Sequence, residues 1–185
     1  DNLKEDLKDK ELHYIISEVT NTANFYIALV DWSSEMLSFP YFVDEKDKQP
    51  RPKKMGKGLT EHVLNTEESI LLNKELYPKL IKQYDIAVSG TNAVNWLGVP
   101  LKLINGKTIG MIGIQSYDNE TYFTEEDKKI LHFVSDQIAM AIKRKIDDIQ
   151  IHKQAHYDHL TGLTNKALFH DRLEHAIQNA ERNDE

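Results

Sequence analysis

Asn105-Gly106 stands between two apolar runs, Trp96 to Leu103 and Thr108 to Tyr117. Asn-Gly flanked by strand-like residues is a strong hairpin signal, because both positions tolerate the positive φ that a tight turn needs. A second hairpin is expected between Phe25 to Val30 and Met36 to Val43, joined by the short polar stretch Asp31-Trp32-Ser33-Ser34. Pro40 within the latter run brings no N–H to a ladder, so it points to an edge or a bulge. Ser69 to Leu72 adds a short strand. Hairpins of this kind commit the chain to a mixed or antiparallel sheet.

The helical segments flank these strands. In residues 1–20, Leu3, Leu7, Leu12, Ile15, Ile16 and Val19 recur at spacings of three to five between charged residues, which suggests a solvent-facing or partner-facing helix. Gly58 to Leu64 reads as a short helix, and so does Lys74 to Gln83 despite Pro78. Thr124 is a good N-cap, with Asp127 three residues on in a capping-box-like position. Beyond it, Leu131, Val134, Ile138, Ala141 or Ile142, Ile146 and Ile149 form one stripe, and no glycine or proline occurs from Thr124 to Thr161. A helix of more than twenty residues is expected, long enough to pack on a sheet and then continue as a coiled-coil seam. Residues 44–57 and 85–95 read as loops. The fold class is therefore α+β, a mixed or antiparallel sheet with flanking helices.

Composition removes several functions. Asp and Glu number 30 against 23 Lys and Arg, a net charge of −7, opposite to the usual sign of a nucleic-acid binder. The absence of cysteine excludes disulfides, thiolate zinc sites and cysteine nucleophiles. No apolar run approaches the roughly eighteen residues of a membrane span, and the charged start is unlike a signal peptide. The expectation is a soluble, cytoplasmic chain that binds no nucleic acid, needs no cofactor and holds no metal. His152, His156 and His159 would share a helix face, but the helix is expected to end near them.

The stretches IALVD, LSFPYFVDE, GKGLTEHVL, WLGVPL, TIGMIGIQSY and FTEEDKKILHFVSDQIAMAI, spread over roughly residues 15–145, resemble a bacterial GAF domain in order and spacing. The resemblance implies a PAS-like fold with a central antiparallel sheet, helices on one face and a ligand pocket on the other, and a role in small-molecule sensing or dimerisation. It also implies the absence of two chemistries known on GAF-like folds, bilin attachment and methionine sulfoxide reduction, since both use cysteine. The pattern around Asp44-Glu45 departs from that of cyclic-nucleotide-binding members: the pair falls five residues after Phe39, and no Asn-Lys pair precedes it.

Ala155 to Lys166 (AHYDHLTGLTNK) resembles the opening motif of GGDEF diguanylate cyclase domains, with Lys166 in place of the usual arginine and Thr164 in place of the usual proline. The GG(D/E)EF signature that carries the GTP chemistry does not occur, so no catalytic residue is assigned and the chain itself is expected not to be an enzyme. The resemblance divides the chain into an N-terminal signalling helix (1–20), a sensor domain (21–145), a helical linker (146–155) and the start of a GGDEF domain (156–185). It implies a module that controls a C-terminal cyclase through a homodimer joined by its helices; the alternative is a ligand-free dimerisation scaffold.

Strand alternation and the resemblance together select Phe39, Tyr41, Trp96, Met111 and Gln115 as ligand-binding residues, beneath covers formed by the 44–64 and 85–95 regions. The aromatic residues offer stacking surface and Gln115 a polar handle. Gly56-Lys57-Gly58 reads as a tight turn into a helix. Lys46, Lys48, Arg51, Lys53, Lys54 and Lys57 read as a solvated basic loop. Leu163, Leu168, Phe169, Leu173 and Ile177 are expected to dock on the sensor domain or on a partner chain.

Overall fold

A computed structural model of the chain describes residues 24–87, 90–119, 122–158, 161 and 163–183. The helix expected over residues 1–20 lies outside them. The first unit runs to Ile142 and the second begins at Lys143.

In the first unit the strands are β1 (Asn24–Asp31), β2 (Met36–Val43), β3 (Lys53–Lys54), β4 (Ile70–Leu72), β5 (Asn95–Lys102) and β6 (Thr108–Ser116). They form one sheet in the order β3-β2-β1-β6-β5-β4, and every described pairing is antiparallel. Two helices, α1 (Leu59–Thr66) and α2 (Leu76–Tyr84), lie between β3 and β5 in the chain. The β5–β6 turn closes on Asn105-Gly106: Gly106 has φ +80, and the Asn105 side chain accepts the Lys107 N–H at 3.1 Å. The β1–β2 turn is held by Asp31, which accepts the Ser33 and Ser34 hydroxyls, each at 2.6 Å. Pro78 sits in the first turn of α2, where a missing N–H costs no helical bond.

β2 carries a bulge. Ile27 pairs with Tyr41 and Leu29 with Ser38, so two steps of β1 face three of β2, with Pro40 in the extra stretch. The bulge changes the phase of alternation. Leu37 and Phe39 face one side of the sheet; after Pro40 it is Phe42, paired with Tyr26, that returns to that side. Tyr41 turns to the other side and packs edge-on against Phe25, with ring centroids 5.3 Å apart.

Each face has its own core. Tyr26, Ala28, Leu37, Phe39, Trp96 and Met111 cluster with Val63 and Leu64 of α1 and with Ile70 and Leu72 of β4. The other face carries buried Phe25, Ile27, Leu97, Val99, Ile112 and Ile114. A third helix, α3 (Glu125–His156, 32 residues), brings the buried stripe Leu131, Val134, Ile138 and Ile142. Each such side chain contributes about 1.5–3 kcal/mol by leaving water. Ser69 and His132 ring Nε2 meet at 2.6 Å, tying the entry of β4 to α3.

The start of α3 is a capping box. Asp127 accepts the Thr124 backbone N–H and hydroxyl, both at 2.7 Å, and the Asp127 N–H donates back to Thr124 Oγ1 at 3.2 Å. At 1.5 Å per residue the helix is about 48 Å long.

The second unit holds the end of α3 and a fourth helix, α4 (Lys166–Asn183). Between them Asp158 Oδ1 accepts the Thr161 N–H at 2.9 Å, and its own N–H donates to the Leu163 carbonyl at 2.8 Å. Asn165 caps α4, its Oδ1 accepting the Leu168 N–H at 3.0 Å. Within the second unit Leu163, Phe169, Leu173 and Ile177 are 44–69% exposed and Leu168 is partly covered.

Candidate functional site

The sheet face built on Tyr26 and Trp96 holds a cavity of about 370 Å³. Glycine makes its floor possible. Trp96 lies across Gly98, where a Cβ would meet the indole at 2.1 Å, and Tyr26 lies across Gly113, where a Cβ would meet the ring at 2.4 Å. Gly98 and Gly113 are cross-strand partners, and so are Tyr26 and Gly113. Without a Cβ at either glycine, the two aromatic side chains approach the sheet more closely than any other residue would allow.

Phe39, Trp96 and Gln115 line the cavity, as do Tyr26, Phe42 and Tyr77. Met111 is on the same face but fully buried in the core cluster, outside the lining. Tyr41 is corrected: the Pro40 bulge places it on the opposite face, and Phe42 takes the position that simple alternation gave to Tyr41.

The polar lining comes mostly from the covering segments. α1 supplies Thr60 and Glu61, the 44–57 segment Asp47, Lys48 and Lys53, and the 85–95 segment Thr91. Lys53 and Lys54 were expected in a loop; they form β3 against Leu37 and Met36. This edge pairing sets Lys53 Nζ 3.0 Å from Glu61 Oε1. The basic cluster is thus partly neutralised, since Lys57 also pairs with Asp85 at 2.7 Å. Among the described lining residues, Lys48 is the cation without an ion-pair partner.

Glu61 is the most buried charge of the site, its side chain 2% exposed. Its Oε1 also accepts the Gly56 N–H at 3.2 Å. Gly58 is needed beside it, because a Cβ there would lie 2.6 Å from Oε2. One position away, the Tyr26 and Thr60 hydroxyls meet at 3.0 Å. Burial pushes the Tyr26 phenol up to about 12, against the opposing hydrogen bonds from Thr60 and Trp96.

A second polar group closes one end. Gln115 Nε2 donates to Asp44 Oδ2 at 2.5 Å and to Tyr117 Oη at 2.8 Å. Tyr117 donates toward Asp44 at 3.0 Å, and Lys46 Nζ lies 4.3 Å from the Tyr117 ring centroid. Asp47 accepts the Thr91 N–H and hydroxyl, each at 2.9 Å, which fastens the 85–95 cover to the 44–57 segment. Burial, then the Asp44 and Asp47 carboxylates, push the Tyr117 phenol well above its ordinary value. Burial alone would raise Asp44, but the Asp47 and Lys46 amides, Gln115 and Tyr117 outweigh it and hold it below the usual carboxylate range.

A lowered folded-state pKa stabilises the fold above the unfolded value of about 3.9, and that contribution is lost as pH falls through the folded value. Asp44→Asn should therefore be less stable than the parent at neutral pH, with the gap narrowing below about pH 4. Melting curves of both proteins from pH 7 downward check this; a gap that stays constant would refute it.

The first unit is thus an α+β domain, an antiparallel sheet with a cavity on one face and an apolar core on the other. The sequence profile of the GAF domain family matches residues 9–143, and the chain belongs to that family; such domains are generally sensor or regulatory modules. No curated protein matches the chain in sequence. Among solved structures, it is similar to the type II free methionine-R-sulfoxide reductase from Thermoplasma acidophilum (18% identity, TM-score 0.57, 77% of this chain and 96% of that one). It is also similar to the GAF domain of a phosphoenolpyruvate-protein phosphotransferase from Coxiella burnetii (19%, TM-score 0.57, 80% and 98%). A third is the second GAF domain of DevS from Mycobacterium smegmatis (13%, TM-score 0.55, 75% and 94%). At these identities the likeness is one of fold.

Among the described residues no group of three or more His, Asp or Glu side chains could hold a metal ion, and no helix is long and apolar enough to cross a membrane. The histidine set falls partly outside those residues, because His159 is not described.

Proposed function

We propose that the cavity senses a small molecule and that α3 passes its state to a GGDEF-type diguanylate cyclase domain that opens in residues 156–185. The chain's own role in this reading is regulatory, not catalytic. The observation that carries the sensing half is the 370 Å³ of space beside Phe39 and Trp96. A ligand-free scaffold would fill that face with its own side chains. Here both rings are well packed, 5% and 2% exposed, and space remains.

The cyclase half rests on the Ala155–Lys166 motif. Asp158 and Asn165, two of its polar residues, hold the turn and cap the helix that follows. A cyclase that joins two GTP molecules must bring two active sites together, so its controller has to set the geometry of a dimer. Ile130 and Phe133 of α3 are 48% and 70% exposed, and this favours a homodimer through the helix. The same observation supports the second reading, a dimerisation scaffold without a ligand. A ligand can shift such an assembly only by binding one helix arrangement better than another.

Native mass spectrometry of the purified chain, set against its denatured mass, tests the sensing half. Extra mass lost on denaturation is expected; a bare dimer whose melting temperature no small molecule raises would favour the scaffold. For the cyclase half, the full gene product should convert GTP to cyclic di-GMP at a rate that changes in Trp96→Ala. Failure to form product would sink that half alone.

A further inference from the structure

We propose that the cavity takes a small apolar monocarboxylate whose carboxylate pairs with Lys48. This rests on the sensing half of the function above and names the class of molecule sensed. The walls call for an apolar body. Phe42 of β2, Leu59 of α1, Tyr77 of α2 and Ala93 of the 85–95 cover all line the space, and each is only partly buried against the core cluster. Separate elements thus bring partly covered apolar surface to one cavity, and an apolar ligand there would take more of it out of water. The volume of 370 Å³ lies near the lower end of the range of about 300–1,000 Å³ usual for small-molecule sites.

Charge fixes the polar group. Glu61 and Asp47 are the carboxylates of the lining, and both are engaged. Glu61 meets Lys53 Nζ at 3.0 Å and the Gly56 N–H at 3.2 Å. Asp47 accepts the Thr91 N–H and hydroxyl, each at 2.9 Å. A cationic ligand would have to compete with donors already in place. Of the lining ammonium groups, that of Lys53 is tied to Glu61, whereas Lys48 enters no ion pair among the described residues. The uncompensated charge of the lining is therefore positive. An ammonium has three N–H donors and no acceptor, so its complement is an anionic acceptor. A single carboxylate matches it; a second negative charge would lie near Asp47 and Glu61 with no further lining cation to meet it.

Lys48 is exposed, and this sets the size of the effect. Its flexible four-carbon stem lets the ammonium follow a carboxylate, while water weakens the pair. A neutral molecule of the same shape would cover the same walls and draw nothing from Lys48. The preference for an acid over its amide therefore isolates the contribution of that residue.

The test is calorimetric titration of the whole chain. The probes are phenylacetate, indole-3-acetate and hexanoate, their primary amides, and phenethylamine and tryptamine as cations. The acids are expected to bind, each more tightly than its amide by about 5- to 20-fold, between the value of an exposed ion pair and that of a charge-assisted hydrogen bond. Added salt should narrow the gap. Lys48→Met should bring each acid to the level of its amide and leave the amides unchanged, and Lys48→Arg should keep the preference. Because Lys48 is exposed and outside every described ion pair, both variants should melt with the parent. Leu59→Ala locates the apolar body: acid and amide should weaken together, with the ratio between them unchanged. Amides or amines that match the acids, or an acid preference that survives in Lys48→Met, overturn this inference and leave the sensing reading standing. A co-purified molecule decides in the same way: a carboxylic acid supports the inference, and a molecule without a carboxylate overturns it. No binding by any probe, with no co-purified mass, overturns both.

Discussion

Gly110→Ala should lower the free energy of unfolding by about 3 kcal/mol, as expected for overpacking against an atom that cannot yield. A Cβ at this position would lie 2.3 Å from the carbonyl oxygen of Ala28. That atom belongs to the central β1–β6 ladder, so relief requires parting the two strands. The neighbours of a Cβ at Gly98 and Gly113, by contrast, are side-chain atoms, of Trp96 and Met111 at the one and of Tyr26 at the other. Gly106 provides the control. A Cβ there meets nothing within 4 Å, and the cost comes only from its φ of +80, about 1–2 kcal/mol. Urea denaturation of both variants separates the two causes. Gly110 has no positive φ, so its loss reports the contact alone, and an unchanged stability in Gly110→Ala would mean that the strands yield freely to the added methyl.

Lys53→Met is the second large effect. It leaves Glu61 charged in a site where its side chain is 2% exposed, with only the Gly56 amide as described partner. Removing one member of a buried pair costs about 3–5 kcal/mol. Because Lys53 is itself 42% exposed and water can partly replace it, about 2 kcal/mol is expected here. Glu61→Gln alone should cost less, because Lys53 can turn to water and the amide still accepts from Gly56. The double variant Lys53→Met/Glu61→Gln should recover most of the Lys53→Met loss. Additive losses in the double-mutant cycle would show that the pair is not coupled.

Much of the architecture was legible from local signals. Asn105-Gly106 fixed one hairpin, the polar stretch after Asp31 another, and Thr124 with Asp127 fixed the start of the long helix. Each is a device in which neighbouring residues satisfy each other, so sequence distance and spatial distance coincide. The site was legible only where it lies on the sheet. Trp96 and Gln115 are cross-strand partners, and their face follows from alternation. Tyr41 was misplaced because alternation was carried through Pro40 unbroken. Proline marked the irregularity, but not that it would add one residue.

The polar lining was missed for a different reason. Asp47, Thr60, Glu61 and Thr91 come from three separate segments, and only tertiary structure brings them together. One signal was available for Glu61. It stands three residues after Gly58, at the entry to a short helix, where a carboxylate commonly turns back toward preceding amides. Lys53 gave none, because the two-residue strand that positions it is too short to leave a pattern.

The bulge at Pro40 also bears on how such a cavity can diverge. Side-chain identity on β2 is read through a frame that one extra residue sets. A single codon lost at Pro40 would remove the extra residue and leave Tyr41 opposite Ile27 and Phe42 opposite Tyr26, as they are now. The bulge is therefore a place where this strand can lose a residue without exchanging the cavity wall. On this scaffold the length of β2 is free to vary there while its wall is held.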